Sequence, residues 1–420
     1  MKKEKASDFR YDTGPARIAW STVGEKVKIQ DIMEILKFLI PSKEKDKEYK
    51  MQLKKVEKEI KRLIETGALT GKLTLGTKVA QLEEEVKKFL RCKYAVFLTN
   101  ATAGFEIAYK FAGLKPGDEV IAPAITFIAT ISYPLSIGAK VVLADVDPKT
   151  LNMDPEDVAR KVTKKTKVIV PVHIGGYPCN MDAIMDIARK FDIVVLEDAA
   201  HAFGSVYDGK MIGTIGHFGA FSFHEVKNIT SLGEGGILVT NEEIGKDFSK
   251  ARFVGFNIAN PIPLWLYDVI ALRWRGDYFA PGNHSATEIQ AVALISQMKR
   301  VNKIIEKRRR AAEYLNERFK DVGGIITPPL DNKKIKSTHH LYLFQVDPDK
   351  LKGDIQVVKE KMGQKGITQI PHFAPLYRFS IMKQLGYDTE RIKETCPNAE
   401  DLFLHRFTHL PLYDFKKDDL

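Results

Sequence analysis

The sequence predicts an α/β protein: a mostly parallel sheet covered on both faces by helices, followed by a smaller C-terminal α+β domain. Three observations predict it. Short apolar runs at 95–99, 120–123, 141–146, 168–172, 193–197, 218–223 and 237–240 alternate with helical patterns such as 181–190. Polar and ionisable residues follow those runs, where parallel sheets place their ligands. After residue 300 the alternation gives way to a long charged helix, 301–319, and a mixed segment with an apolar run at 341–346.

In chain order, residues 1–45 read as an N-terminal extension, 46–300 as the large domain and 301–420 as the small one, with one more helix expected after Leu420. Ile29, Ile32, Met33, Leu36, Leu39 and Ile40 recur at helical spacing before Pro41, so a short amphipathic helix is expected, packed on the body or at a subunit contact. Leu53, Val56, Ile60 and Leu63 mark a second helix that ends in the 66–71 stretch; Val79, Leu82, Val86 and Phe89 mark a third. An aromatic insertion runs from Pro261 through Trp265 and Trp274 to Tyr278. It reads first as packing at a dimer interface, with a lid over the site or contact with a lipid-linked substrate as the alternative.

Composition narrows the function classes. The 420 residues are 44% hydrophobic and 28% charged, and the three cysteines, Cys92, Cys179 and Cys396, are scattered. Neither a disulfide framework nor a metal site is expected, and a reducing, cytoplasmic compartment fits. The net charge of +11 raises nucleic acid as a partner, but the lysines are interleaved with acids on amphipathic patterns such as 54–62. A lysine-rich solvated surface and small anionic ligands account for the charge, so no nucleic acid partner is expected. The start, Met1-Lys2-Lys3-Glu4-Lys5, leads into no apolar stretch, and the apolar segment 262–274 contains Pro263 and Asp268. No secretory signal and no membrane span are expected.

Chemistry concentrates at two strand ends. Ile193-Val194-Val195-Leu196-Glu197-Asp198 is a buried strand ending in two acids, which is costly unless something pairs with them. Taken alone, Asp198 reads equally as a cap for the next turn. A lysine shifts that balance. The run Phe221-Ser222-Phe223-His224-Glu225-Val226-Lys227 leaves another strand and delivers Lys227 into a polar loop, before Gly233, Gly235 and Gly236. Lysine and aspartate at the ends of neighbouring strands suit a cofactor aldehyde: the amine forms a Schiff base, and the carboxylate keeps a pyridine nitrogen protonated.

Lys227 in Ser222-Phe223-His224-Glu225-Val226-Lys227-Asn228-Ile229-Thr230, and Asp198 in Glu197-Asp198-Ala199-Ala200-His201-Ala202, resemble the DegT/DnrJ/EryC1/StrS family of pyridoxal-phosphate (PLP) dependent sugar aminotransferases. The resemblance runs from about Thr66 to near the C-terminus. It implies the three-layer, fold-type I architecture of PLP transferases. Leu98-Thr99-Asn100-Ala101-Thr102-Ala103-Gly104 resembles the family's phosphate loop, with Ala101 in its glycine position; alone it would be an ordinary helix N-cap. The same Ala-Thr-Ala-Gly variant occurs in members that make 4-amino-4-deoxyarabinose nucleotides.

By the same resemblance Phe127 stacks on the cofactor ring, Ser222 binds its phosphate, and His201 stands near the ring hydroxyl. Asn283 matches a residue that reaches the partner subunit's cofactor phosphate, although Ser285 and Ala286 depart from the Arg-Met that follows it in the family. His372 and His409 lie in two small-domain motifs, and His372 is a candidate for approaching substrate.

The implied reaction moves an amino group from glutamate or glutamine to a keto sugar, usually nucleotide-linked, in a homodimer with shared sites. Lys227 and Asp198 are the implied catalytic residues. Lys227 argues against the family's sugar dehydratases, which carry histidine there. An acceptor that is a non-nucleotide cyclic ketone, or a silent sensor or scaffold, are the competing readings.

Overall fold

The computed structural model describes residues 25–412 apart from 26, 44–45, 68, 70–72, 352, 368 and 370–371. Residues 1–24 of the extension, part of the 66–71 stretch, Pro371 and everything after Leu412 therefore lie outside the described residues. By internal contacts the chain forms two units, Met1–Ala80 with Thr287–Ile289, and Gln81–Ala286 with Gln290–Leu420.

In the first unit, α1 (Ile29–Leu39) and α2 (Lys47–Thr66) form where the apolar spacing placed them, and they pack on each other. Asp46 starts α2 by accepting the Glu48 N–H at 2.7 Å, and the Tyr49 hydroxyl donates to the Ile40 carbonyl at 2.6 Å. α3 (Thr77–Leu90) starts here too. Its first turn is capped from far along the chain, by the buried Glu288 carboxylate accepting the Gly76 and Lys78 N–H groups at 2.7 and 2.8 Å.

The second unit is built on the strand–helix alternation. β1 (Tyr94–Leu98), α4 (Ala101–Phe111), β2 (Glu119–Pro123), α5 (Ala129–Ser136), β3 (Lys140–Ala144), α6 (Pro155–Lys161), β4 (Thr166–Ile169), α7 (Met181–Phe191) and β5 (Val194–Asp198) follow one another. A small hairpin, β6 (Val206–Tyr207) and β7 (Lys210–Met211), precedes β8 (Phe218–Ser222) and β9 (Gly236–Thr240). The main sheet has seven strands in the order β1-β9-β8-β5-β4-β2-β3. β9 is antiparallel to both neighbours and every other pairing is parallel, so β1, β8, β5, β4, β2 and β3 all point the same way. The strand expected at 168–172 is displaced to 166–169, because Pro171 has no N–H to donate to the ladder.

Then come α8 (Phe248–Arg252), a two-stranded hairpin of β10 (Phe256–Asn257) and β11 (Asp268–Val269), α9 (Glu288–Met298) and the long α10 (Val301–Phe319). β12 (Ile325–Ile326), β13 (Ile335–Lys336), β14 (Leu341–Val346), α11 (Ile355–Gln364) and β15 (Phe407–Pro411) complete the C-terminal part. β12, β14 and β15 form an antiparallel sheet, while β13 pairs with β6. One sheet face packs through Val96, Leu196, Phe218 and Leu238 on Phe105, Ala108 and Phe111 of α4. Ile125, Ile131 and Leu143 form a second cluster with Leu343, Leu376, Tyr377 and Phe407, so the C-terminal part shares a core with the sheet.

The aromatic insertion divides in two. Trp274 packs edge-on to Phe218 at 5.2 Å and Phe279 edge-on to Phe111 at 5.2 Å, inside this chain's own core. Ile262, Leu264, Trp265 and Tyr278 remain exposed.

Candidate active site

Parallel strands deliver their C-terminal ends to one edge of the sheet, and the predicted site residues follow those ends. β1 leads to Ala101 and Thr102, β2 to Phe127, β5 to Asp198 and His201, and β8 ends at Ser222 and leads to Lys227. β5 and β8 are hydrogen-bonded neighbours, with Asp198 opposite Ala220.

The two acids that end β5 have different fates. Glu197, fully buried, accepts the N–H groups of Gly213, Ile215 and Gly216 at 2.8, 2.7 and 2.7 Å and lies 3.1 Å from His173 Nε2. It is a structural hub satisfied by backbone. Asp198, also buried, accepts from the Thr130 hydroxyl at 2.7 Å and the Ala200 N–H at 3.2 Å. Burial pushes its carboxyl above the usual carboxylate range, against those donors and the Lys227 and His173 charges. Burial also pulls the Lys227 amine down to about 8, while the nearby Asp198 charge acts in the opposite direction. A lysine at that value is substantially uncharged just above neutrality, as a nucleophile or a proton carrier must be.

Around this pair stand aromatic rings. Phe127 is 57% exposed, its ring centroid 5.8 Å from Phe373. His201 lies nearly parallel to Phe373 at 6.0 Å and 4.5 Å from His340, and its Nδ1 accepts the Gly175 N–H at 3.2 Å. Burial, then the Lys227 charge, keeps His201 well below the usual imidazole range. His340 Nδ1 is 2.9 Å from Asn228 Oδ1, next to Lys227 in the chain.

At the start of α4 the Asn100 side chain accepts the Ala103 N–H at 2.9 Å, which leaves the Ala101 and Thr102 N–H groups as first-turn donors. β9 runs against this turn so closely that a Cβ on Gly236 would lie 2.2 Å from the Asn100 carbonyl carbon and 2.4 Å from the Ala101 nitrogen. Only glycine fits there. The half-buried Ser222 accepts the His224 N–H at 3.3 Å. Asn283 is exposed, accepts the Ser285 N–H at 3.1 Å, and has no hydrogen bond to the Lys227 cluster among the described residues. Its segment runs beside β1, with the Thr99 N–H donating to the His284 carbonyl at 3.0 Å.

The donor set has the chemistry of a site for a phosphorylated pyridine aldehyde. Lys227 could take the aldehyde, Asp198 the ring nitrogen, Phe127 a ring face, and the start of α4 with Ser222 the phosphate. Sequence reasoning gave no role to Thr130, Asn228, His340 and Phe373. Thr130 closes the Pro123–Thr130 segment already marked by Phe127, so it was within reach. Asn228 follows Lys227 and Phe373 follows His372 in segments already marked, so they too were within reach, whereas His340 lies in a stretch where nothing local marks it.

The DegT/DnrJ/EryC1/StrS aminotransferase family matches residues 54–419, beginning earlier than Thr66 and taking in part of α2. Spore coat polysaccharide biosynthesis protein SpsC of Bacillus subtilis is 35% identical over 86% of this chain and 91% of its own. The UDP-4-amino-4-deoxy-L-arabinose–oxoglutarate aminotransferase of Shewanella sediminis is 32% identical over 79% of this chain and 86% of its own. A Streptococcus pneumoniae protein assigned as a sugar aminotransferase, solved in a pyridoxamine-phosphate (PMP) form, superposes with a TM-score of 0.73 at 28% identity over 83% of this chain and 90% of that one. The same protein is also known in a PLP form.

Proposed function

This chain belongs to the DegT/DnrJ/EryC1/StrS aminotransferase family, and from that premise we propose that it transfers an amino group from glutamate or glutamine to the carbonyl of a nucleotide-linked keto sugar. It is a PLP-dependent aminotransferase of the sugar aminotransferase family. The observation that carries the finer reading is the Asp198–Lys227 pair, a buried carboxylate ending β5 and a half-buried lysine in the loop that leaves the adjacent parallel strand β8.

PLP, when bound, supplies an electron sink that acidifies the donor's α-carbon. Lys227 Nζ is the proposed point of attachment for its aldehyde. The uncharged Lys227 amine would serve as the base that takes the proton from the donor's α-carbon and as the acid that gives it back. Asp198 would keep the ring nitrogen protonated, and the Thr130 hydroxyl, donating to it, fixes that carboxylate. Phe127 would support one ring face, the Ala101 and Thr102 N–H groups and the Ser222 hydroxyl would hold the phosphate, and His201 would serve the ring hydroxyl. Neutral His201 adds no positive charge next to Lys227, so burial is what favours the uncharged amine.

We place the reaction in the cytoplasm, in a homodimer whose shared sites receive Asn283 from the partner, and we divide the chain at about residues 45 and 300. Three buried free cysteines fit a reducing compartment. Among the described residues no helix is long and apolar enough to cross a membrane. The test is a visible absorption spectrum of the purified protein with PLP, before and after glutamate. A yellow band that bleaches with glutamate and is missing in Lys227→Ala supports the reading; a protein that ignores PLP removes it.

A further inference from the structure

The turn that presents Phe127 also buries two threonines. Thr126 and Thr130 are inaccessible to solvent, and their hydroxyl oxygens lie 2.9 Å apart. Thr130 sits in the first turn of α5, its N–H donating to the Phe127 carbonyl at 3.1 Å. A helical threonine often turns its hydroxyl back on the carbonyl four residues earlier. This one donates to Asp198 Oδ2 at 2.7 Å instead. The Thr130 carbonyl would ordinarily accept from residue 134, but Pro134 has no N–H. The buried Tyr109 hydroxyl takes that place, donating at 2.6 Å. Thr130 is therefore held at its N–H, its carbonyl and its hydroxyl.

We propose that Thr126 is a positioning residue for Asp198, donating its hydroxyl hydrogen to Thr130 and so keeping the Thr130 hydrogen on the carboxylate. What this does for a cofactor's ring nitrogen rests on the role proposed above for Asp198. The argument is one of valence. A hydroxyl has one hydrogen and two lone pairs, and an ionised carboxylate can only accept. The Thr130 hydrogen is thus committed to Asp198. At the contact with Thr126, Thr130 can then only accept, and Thr126 donates.

A protonated Asp198 would permit the opposite order, its own hydrogen passing to Thr130 and the Thr130 hydrogen to Thr126. Hydrogen bonds that end on a charge are the stronger, and each polarises the next, so the ordered pair favours the ionised carboxylate. Burial presses the other way, raising the Asp198 carboxyl, and the Thr130 hydroxyl is the largest influence opposing it. With the relay broken, more of Asp198 is the neutral acid, which has no charge to hold a pyridine nitrogen protonated.

Thr126→Val keeps the shape and removes the hydroxyl, which separates this role from packing. In the cofactor-free protein the Asp198 carboxyl carbon, identified by its loss in Asp198→Asn, is titrated by NMR. Thr126→Val raises the proton affinity of Asp198 by about threefold, and Thr130→Val, which loses the direct bond, by about tenfold. Thr126→Ser, with its hydroxyl restored, stays with the wild type. Where Thr126→Val does not fold, Thr126→Ala replaces it. An unmoved midpoint, or a carboxylate that stays ionised throughout, overturns the proposal. The titration needs no PLP. A protein that ignores PLP therefore removes the role of Asp198 in the reaction and leaves the relay to be decided by the titration, so the two failures are distinct.

Discussion

Two loops of the second unit make opposite choices. Residues 223–235, between β8 and β9, draw polar groups inward. Lys227 and Asn228 are half-buried, the Thr230 N–H donates to Gln297 Oε1 at 3.0 Å, and Ser231 Oγ donates to the Glu234 carbonyl at 2.8 Å. Residues 258–267, between β10 and β11, push apolar groups outward. Leu264 is fully exposed, and Ile262 and Trp265 are about half exposed by fractional area. Tyr267 is held by Phe256, with ring centroids 3.9 Å apart. A cation drawn into a low-dielectric site and an aliphatic tip left in water are both unfavourable for the isolated chain. Each implies a group that completes it: the cofactor in one case, and in our reading a second subunit in the other.

The comparison can be broken, and the largest effects lie on the polar side. Lys227→Ala should abolish the visible PLP band and lower transamination by about a thousandfold or more, because the same amine attaches cofactor and carries the proton. A mutant within tenfold of wild type would mean that the buried lysine is structural. Asp198→Asn should preserve the Thr130 contact but remove the charge, lowering the rate by about a hundredfold with less effect on PLP retention. Stopped-flow spectra with glutamate measure this.

Next in size is a steric effect. Gly236→Ala drives a methyl into the first turn of α4, at an expected cost of about 1–3 kcal/mol in chemical denaturation, with weaker PLP binding. A neutral Gly236→Ala would show that this approach is looser than 2.2 Å.

The pH dependence has a definite sign. In the cofactor-free protein the Lys227 amine lies near 8, below its ordinary value of 10.5. The rate of PLP uptake should therefore rise with pH and level off above about 8. The unfolded chain holds that proton through the window from about 8 to 10.5, so this group's contribution to stability grows as pH rises across it. A pH-independent rate of PLP uptake between pH 6.5 and 9, the range over which it is measured, would remove the lowered amine from the account.

The smallest effect on the fold is expected on the apolar side. Leu264→Asp should change the stability of the isolated subunit by less than about 0.5 kcal/mol. Sedimentation should nonetheless show a dimer that dissociates at higher protein concentration. An unaltered assembly would mean that the tip is not covered by a second copy.

How much was legible in advance depended on how local the signal was. The strand alternation, the long α10 and the Asp198 and Lys227 strand ends were readable, because burial and hydrogen bonding fix those patterns over a few residues. Phe127 and Thr102 could be marked only by resemblance, since a phenylalanine and a helix start have no distinguishing chemistry of their own. The division of labour between Glu197 and Asp198 was not legible. Both end the same strand, and only the turn at 213–216 folding back onto Glu197 decides which acid stays available. The split of the insertion was hidden for the same reason: Trp274 and Trp265 look alike in sequence, and only the position of Phe218 separates them.

By itself the sequence determined the α/β class, the order of elements and the residue types that a cofactor aldehyde requires, because periodicity and buried charge are local properties of the chain. The tertiary structure decided which groups face one another. Asp198 meets Thr130, His201 meets His340 and Phe373, and His372 meets His409, across separations of 37 to 172 residues, from strands and loops whose neighbours are set by sheet order. Protonation states follow from those meetings, since desolvation and facing charges belong to a place in the fold and not to a position in the chain.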